Sequence, residues 1–157
     1  MKAKLYEEIR ERIKETMHEI KYVDLYRGQD RIPKEHYPYP LPAVFVNFDN
    51  IRWTNAAAGH QQGDTIISLR LMQDTLGDTF DTSEAETANI EELKLSEKLW
   101  DAVEGLSGIG YCSLNRINET FEYGVAVLTF TCEMFQKKGI IETTVNNVEL
   151  NIDVYAD

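Results

Sequence analysis

Basic residues are scarce in this sequence, which carries 16 lysines and arginines against 27 aspartates and glutamates and has a net charge of −11 at pH 7. An electrostatic grip on DNA or on an anionic membrane needs a basic surface, so the composition argues against both functions. The same charge keeps monomers apart in solution, and it also suits a surface along which nucleic acid passes without adhering. Composition leaves both interpretations open.

Cysteine, histidine and long apolar runs are also rare. Cys112 and Cys132 belong to no CxxC pair, and His18, His36 and His60 are far apart in the sequence. This pattern favours buried thiols in a reducing compartment over a disulfide or a metal site. No run approaches the ~20 apolar residues of a membrane helix, and the N-terminal "MKAKLYEEIRERIKE" lacks the apolar core of a signal peptide. We therefore expect no metal, no cofactor and no membrane association.

Sequence motifs of catalysis are missing too. The chain has no glycine-rich phosphate loop, no GxSxG and no HExxH. We therefore predict no catalytic residue, with an enzyme domain whose pocket carries no known motif as an alternative. The polar residues near predicted strand ends form no nucleophile–base pair and no metal set; they are Asp49, Arg52, Asp64, Arg70 and Glu133.

Two amphipathic helices are predicted from apolar residues that recur every three or four positions. The first covers about residues 4–21, and its apolar stripe is Leu5, Ile9, Ile13, Met17 and Ile20. The second covers about residues 91–106 and ends at "SGIG", with an apolar stripe of Leu95, Leu99, Ala102, Val103 and Leu106.

The strands are predicted to form two hairpins. A short strand at 22–26 leads into residues 27–42, which hold all four prolines and form a stiff crossover. Alternating residues at 43–53 and 65–74 form the first hairpin, and residues 111–117 pair with the long strand 118–135 across "NE" in the second. The expected fold class is α+β, a mostly antiparallel sheet of two hairpins with two amphipathic helices packed on one face.

The long strand 118–135 is apolar on both faces, although the helices can cover only one of them. Contiguous exposed apolar surface usually marks an interface, so we expect another subunit to cover the second face. Arg52 and Arg70 are candidate interface ion-pair residues, or else exposed strand arginines without a partner, and Trp53 is a packing anchor or an interface residue. The strand interface candidates are Arg52, Trp53, Arg70, Phe130 and Met134.

Two further segments carry expectations of their own. Residues 75–92 are acidic and threonine-rich, so we expect an exposed loop that faces a lumen, a partner ring or only solvent. The tail alternates apolar and polar residues, which predicts a strand that adds to a sheet edge or exchanges between subunits. The acidic-loop residues are Asp74, Asp78, Asp81, Glu84 and Glu86, whose spacing is not that of a calcium loop; the tail's interface candidates are Val148, Leu150, Ile152 and Val154.

The order of these elements resembles that of phage tail-terminator and tail-completion proteins. The resemblance rests on the proline-containing entry to a strand in "YPLPAVFVNF", on the strand "ISLRLM" before the second helix, and on the final strand "VLTFTCEMF". It covers residues 1–135 as a single α+β domain of the tail-terminator type, and it leaves residues 136–157 as a C-terminal β extension. The acidic loop is longer than the family pattern, and the extension continues past its usual end.

The resemblance implies a structural virion protein and not an enzyme. Such proteins form a ring, typically hexameric, at the head-proximal end of the tail, where the ring caps the tube and joins tail to head. The implied partners are further copies of the chain, the tail tube and the head–tail connector proteins, with DNA only as passing cargo. The implied location is the virion, assembled in the host cytoplasm. A neck or adaptor protein, the cap of an injection system and a small binding module are the alternatives.

Overall fold

A computed structural model describes residues 1–32, 36, 38–56, 59–73, 86–122 and 124–137, without the side chains of 86–89 and 122. The elements of the described chain, in order, are α1 (Lys2–Thr16), β1 (Tyr22–Leu25), a 3₁₀ turn (Gln29–Arg31), β2 (Ala43–Asn55), β3 (His60–Met72), α2 (Glu86–Val103), β4 (Asn115–Glu122) and β5 (Val125–Lys137).

The five strands form one sheet in the order β1-β2-β3-β5-β4. The pairs β2–β3, β3–β5 and β4–β5 are antiparallel, whereas β1 runs parallel to β2 with Tyr22 beside Ala43. The predicted α+β class is therefore confirmed, but the sheet is mixed. The reason is the crossover after β1, which returns the chain to the end of the sheet where β1 began, so that β2 runs in the same direction.

The second hairpin turns at a different place from the one predicted. Asn118 and Glu119 lie inside β4, and the turn falls between Glu122 and Val125, which pair with each other. Gly124 in this turn has φ of +78°, a left-handed conformation that glycine adopts without steric strain. The apparent single strand 118–135 is therefore the end of one strand, a turn and most of the next.

The helix boundaries also shift. α1 ends at Thr16 because Met17 leaves the helical conformation, with φ of −126° and ψ of 80°. α2 begins at Glu86, five residues before the predicted start, so the last part of the predicted acidic loop is helical. Met17 and Ile20 remain buried, although both lie beyond the end of α1.

Both helices bury their apolar stripes in one core cluster. From the helices it contains Leu5, Ile9 and Ile13 of α1, and Leu95 and Leu99 of α2. The strands contribute alternate residues of one sheet face, namely Val44, Val46, Ile67, Leu69, Leu71, Ala126, Leu128, Phe130, Cys132 and Met134. We call this the helix-covered face of the sheet, and the other its open face.

Candidate functional site

Two of the predicted interface residues belong to the core of the chain itself. Phe130 and Met134 lie on the helix-covered face, and both side chains are fully buried. Neither reaches the surface of the folded chain, so neither is available for a contact with another subunit. The alternation along β5 identified their face correctly, but not which face the helices cover.

The open face near β1 is buried by the chain's own aromatic residues. The ring of Tyr39, from the proline-containing crossover, lies edge-on to Phe45 at a centroid distance of 5.0 Å and stacks on Tyr22 at 6.1 Å. The Tyr39 hydroxyl donates a hydrogen bond to the Met72 sulfur at 3.3 Å. Phe45 is fully buried, and Val127 of β5 is 6% exposed. The open face is therefore buried around Phe45 and Val127, where the expected subunit is not required, whereas Phe135 at the far end of β5 on the same face is 43% exposed.

Arg70 lies in the same region and has its counter-ion within the chain. Its guanidinium is 3.1 Å from an Asp30 carboxylate oxygen, and the two side chains are only 15% and 12% exposed. The Arg70 guanidinium also lies 4.8 Å from the ring centre of Tyr26, whose hydroxyl donates to Asp30 at 2.7 Å. Burial, followed by this hydrogen bond, raises the pKa of Tyr26. The predicted ion-pair role of Arg70 is therefore filled by Asp30, which clamps the crossover to the sheet.

Arg52 and Trp53 lie in the far half of the first hairpin. Trp53 points to the helix-covered side and packs flat on Gly63, where a Cβ atom would lie only 2.8 Å from the indole ring. Arg52 is exposed on the open face, directly across from Asp64 of β3, which in turn is paired with Glu133 of β5. Arg52 has no carboxylate within 4 Å among the described side chains.

Among the described residues, the outer edge of β2 is open over this same half. β1 pairs only with Ala43–Val46, and the amide of Tyr26 adds one more hydrogen bond to the Val46 carbonyl. On this outer side, no strand of the described chain lies beside residues 47–55. A bulge between Phe48 and Asn50 interrupts the pairing, so the regular part of the open edge is Asn50–Asn55. We call this segment the β2 edge.

A second surface, which the sequence did not predict, joins α2 to the opposite edge of the sheet. Four apolar side chains are about half exposed there, namely Ile90 and Leu93 of α2 and Ile117 and Phe121 of β4. Leu93, Trp100 and Phe121 line a shallow cleft of about 430 Å³, whose acidic rim includes Glu97, Asp101 and Glu119. We call this the α2–β4 surface. Leu93 is an apolar residue outside the apolar stripe predicted for the second helix, and this was the signal in the sequence that could have indicated the surface.

A polar network holds the α2–β4 surface in shape. The Arg116 guanidinium lies 4.1 Å from the ring centre of Trp100 and pairs with Glu119 at 2.7 Å. One carboxylate oxygen of Glu104 accepts from the Trp100 indole N–H at 3.1 Å and from the Arg116 amide at 2.9 Å. Because the Arg116 guanidinium is already paired with Glu119, the groups that the cleft offers to a partner are apolar and acidic. Such a cleft favours an apolar or basic partner.

The two thiols differ in exposure. Cys112 is exposed and Cys132 is buried. Burial, with a smaller effect of Cys112, raises the pKa of the Cys132 thiol to about 11. Nearby, the buried Tyr111 hydroxyl donates to Glu8 of α1, which ties the loop after α2 to the first helix. Burial and this hydrogen bond raise the pKa of Tyr111.

Several predicted residues lie outside the described part of the chain. They are Asp74, Asp78, Asp81 and Glu84 of the acidic loop and Val148, Leu150, Ile152 and Val154 of the tail. The remaining acidic-loop residue, Glu86, is described and is the first residue of α2. Within the described residues, no three histidine, cysteine or acidic side chains are grouped as metal ligands. No described helix has the length and apolar character required to cross a membrane. The chain matches no protein-family model, and a search of curated proteins finds no similar sequence.

Proposed function

We propose that this chain is a structural virion protein that forms a ring at the head-proximal end of a phage tail, where it caps the tube and joins tail to head. The order of helices and hairpins supports the proposal, because it follows the tail-terminator pattern through the end of β5. The proposed ring is hexameric, as the resemblance implies. Its partners are the tail tube below and the connector proteins of the head above.

One observation carries the ring: two different surfaces, each without a partner among the described residues, lie at opposite sides of one sheet. The α2–β4 surface lies at the β4 side, and the β2 edge lies at the other. When two unlike surfaces on the same chain meet between copies, the contact is heterologous, and a heterologous contact that closes produces a ring. Half-exposed apolar side chains and an open strand edge are features that soluble monomers usually cover.

The acidic composition supports the passage of DNA through such a ring. A net charge of −11 repels phosphate groups, so a channel wall built from these subunits would release DNA and not retain it. We propose no catalytic step. Of the polar strand-end residues considered in the sequence, Arg70 is in the ion pair with Asp30, and Asp49 accepts a hydrogen bond from Asn47 at 2.6 Å. The other three form the exposed row of Arg52, Asp64 and Glu133.

The test is a genetic deletion combined with particle imaging. Removing the gene from the genome that encodes this chain should give heads and tails that fail to join, with tails of irregular length, and wild-type protein supplied in trans should restore joined particles. A tagged copy should label the head-proximal end of the tail. A label in the neck above the tail end would favour the adaptor alternative, and joined particles of normal tail length without the protein would refute the proposal.

A further inference from the structure

The β2 edge has the main-chain groups to accept one more strand. Within the described structure Asn50–Asn55 pairs with β3 on its inner side only, and its six residues span roughly 20 Å at about 3.4 Å each. An open edge presents unpaired N–H and C=O groups and is a ready template for strand addition. Asp49, in the bulge at one end of this segment, marks where regular pairing stops.

The β2 edge carries apolar side chains on one face of the sheet and polar side chains on the other. Ile51 and Trp53 point to the helix-covered side, where both are partly buried against the core. Asn50, Arg52 and Thr54 alternate with them and are exposed on the open face. An added strand would therefore match this edge if it carried apolar residues on one face and acidic residues, facing Arg52, on the other.

The C-terminal tail of this chain has that pattern and a suitable length. Residues 148–154 alternate four aliphatic side chains with Glu149, Asn151 and Asp153, and residues 139–157 contain no lysine or arginine. A seven-residue strand spans roughly 24 Å, slightly more than the regular edge. Its aliphatic face would extend the apolar surface of Ile51 and Trp53, and its acidic face would bring a carboxylate to Arg52.

We infer that residues 148–154 of one copy add as a strand to the β2 edge of the neighbouring copy, an inference that rests on the proposed ring. The tail leaves the described chain at Lys137, the end of β5, and only β4 separates β5 from the side of the sheet that faces the next subunit. The ten residues 138–147 can reach up to about 33 Å. A strand beyond β4 lies two strand spacings, about 10 Å, from β5, and a strand on the chain's own β2 edge lies three spacings, about 15 Å, away. Both are within reach, so the exchange between copies follows from the proposed ring contact and not from the linker length.

Disulfide trapping between two distinguishable chains tests this pairing. Both chains carry Cys112→Ser, and Cys132 is kept because it is 4% exposed. An untagged chain carries Thr54→Cys on the β2 edge, and a tagged chain carries Glu149→Cys, Asn151→Cys or Asp153→Cys in separate variants. Asn118→Cys, exposed on β4 at the opposite side of the sheet, is the matched control acceptor. After mixing at about 0.1 mM and mild oxidation, the tagged–untagged disulfide is measured by mass.

We expect Thr54→Cys to form at least about tenfold more mixed disulfide with one tail position than Asn118→Cys forms, because a docked tail has an effective concentration of order mM or above. Three results would overturn the inference: equal trapping at both acceptors, no trapping at any tail position, or an intrachain disulfide in a diluted chain that carries both cysteines. A trapped pair without a ring on the tail would refute only the proposed function. A ring on the tail without a trapped pair would refute only the strand exchange.

Discussion

Asp30→Asn should destabilise the chain by about 2 kcal/mol, because it removes the charge that holds the crossover on the sheet. The carboxylate of Asp30 lies 3.1 Å from the Arg70 guanidinium, and the side chains are 12% and 15% exposed. Removing one partner of a fully buried pair costs about 3–5 kcal/mol. We place this pair below that range because it retains some solvent contact, Arg70 keeps its contact with the Tyr26 ring, and an asparagine oxygen still accepts from Tyr26.

Urea unfolding, monitored by tryptophan fluorescence, measures this loss of stability. For a chain of this size the urea m-value is about 2 kcal/mol/M, so the midpoint should fall by about 1 M. The matched control is Glu19→Gln, which breaks an ion pair of 2.6 Å with Lys98 whose side chains are 46% and 57% exposed. Solvent screens such a pair, so its removal should not shift the midpoint measurably. If Asp30→Asn and Glu19→Gln gave the same midpoint, the proposed clamp between crossover and sheet would be refuted.

Three further predictions concern the surface, the turn and the thiols. Leu93→Glu should leave the circular dichroism spectrum unchanged, since this side chain is 52% exposed, and it should reduce the number of tail-end rings in imaged particles. The contrasting change Leu99→Ala, in the core, should lower the free energy of unfolding by about 2–5 kcal/mol. Gly124→Ala, at φ of +78°, should lower the free energy of unfolding by about 1–2 kcal/mol in the same urea assay, and an unchanged midpoint would contradict the assigned turn. Cys112 should react with Ellman's reagent in the native state and Cys132 only on unfolding. Because the Cys132 pKa rises from 9.0 to about 11 on folding, its contribution to stability should be present below pH 9 and be lost as the pH rises toward 11; Cys132→Ala should remove that loss from a series of urea midpoints.

The helices were the most predictable elements because their signal is local. The stripe of Leu5, Ile9 and Ile13 is complete within one segment, and a helix with such a stripe buries it wherever a sheet is available. The ends of the elements were less predictable. Met17 and Ile20 continue the apolar spacing after α1 has ended, since a buried residue need not be a helical one.

The second hairpin shows how a pattern of period two misleads. The alternation continues through Gly124 without a visible break, so the end of β4 and the start of β5 read as one strand. A two-residue loop shifts the alternation by one position, because Glu122 and Val125 are three residues apart and yet pair on the same face. Phe121 therefore lies on the face of Ala126 and not on that of Val125. Only the pairing of Glu122 with Val125 shows where the chain reverses.

The sequence by itself determined the element types, the apolar face of each helix, the alternating faces of the strands and the acidic character of the chain, because all of these depend on residues a few positions apart. The tertiary structure alone decided that β1 runs parallel to β2, that Tyr39 covers Phe45, and that Arg70 pairs with Asp30 within the chain. It also decided which surfaces have no partner among the described residues, namely the β2 edge and the α2–β4 surface. These features join residues up to tens of positions apart, and they depend on the path of the connecting segments, about which the periodicity of a strand or helix carries no information.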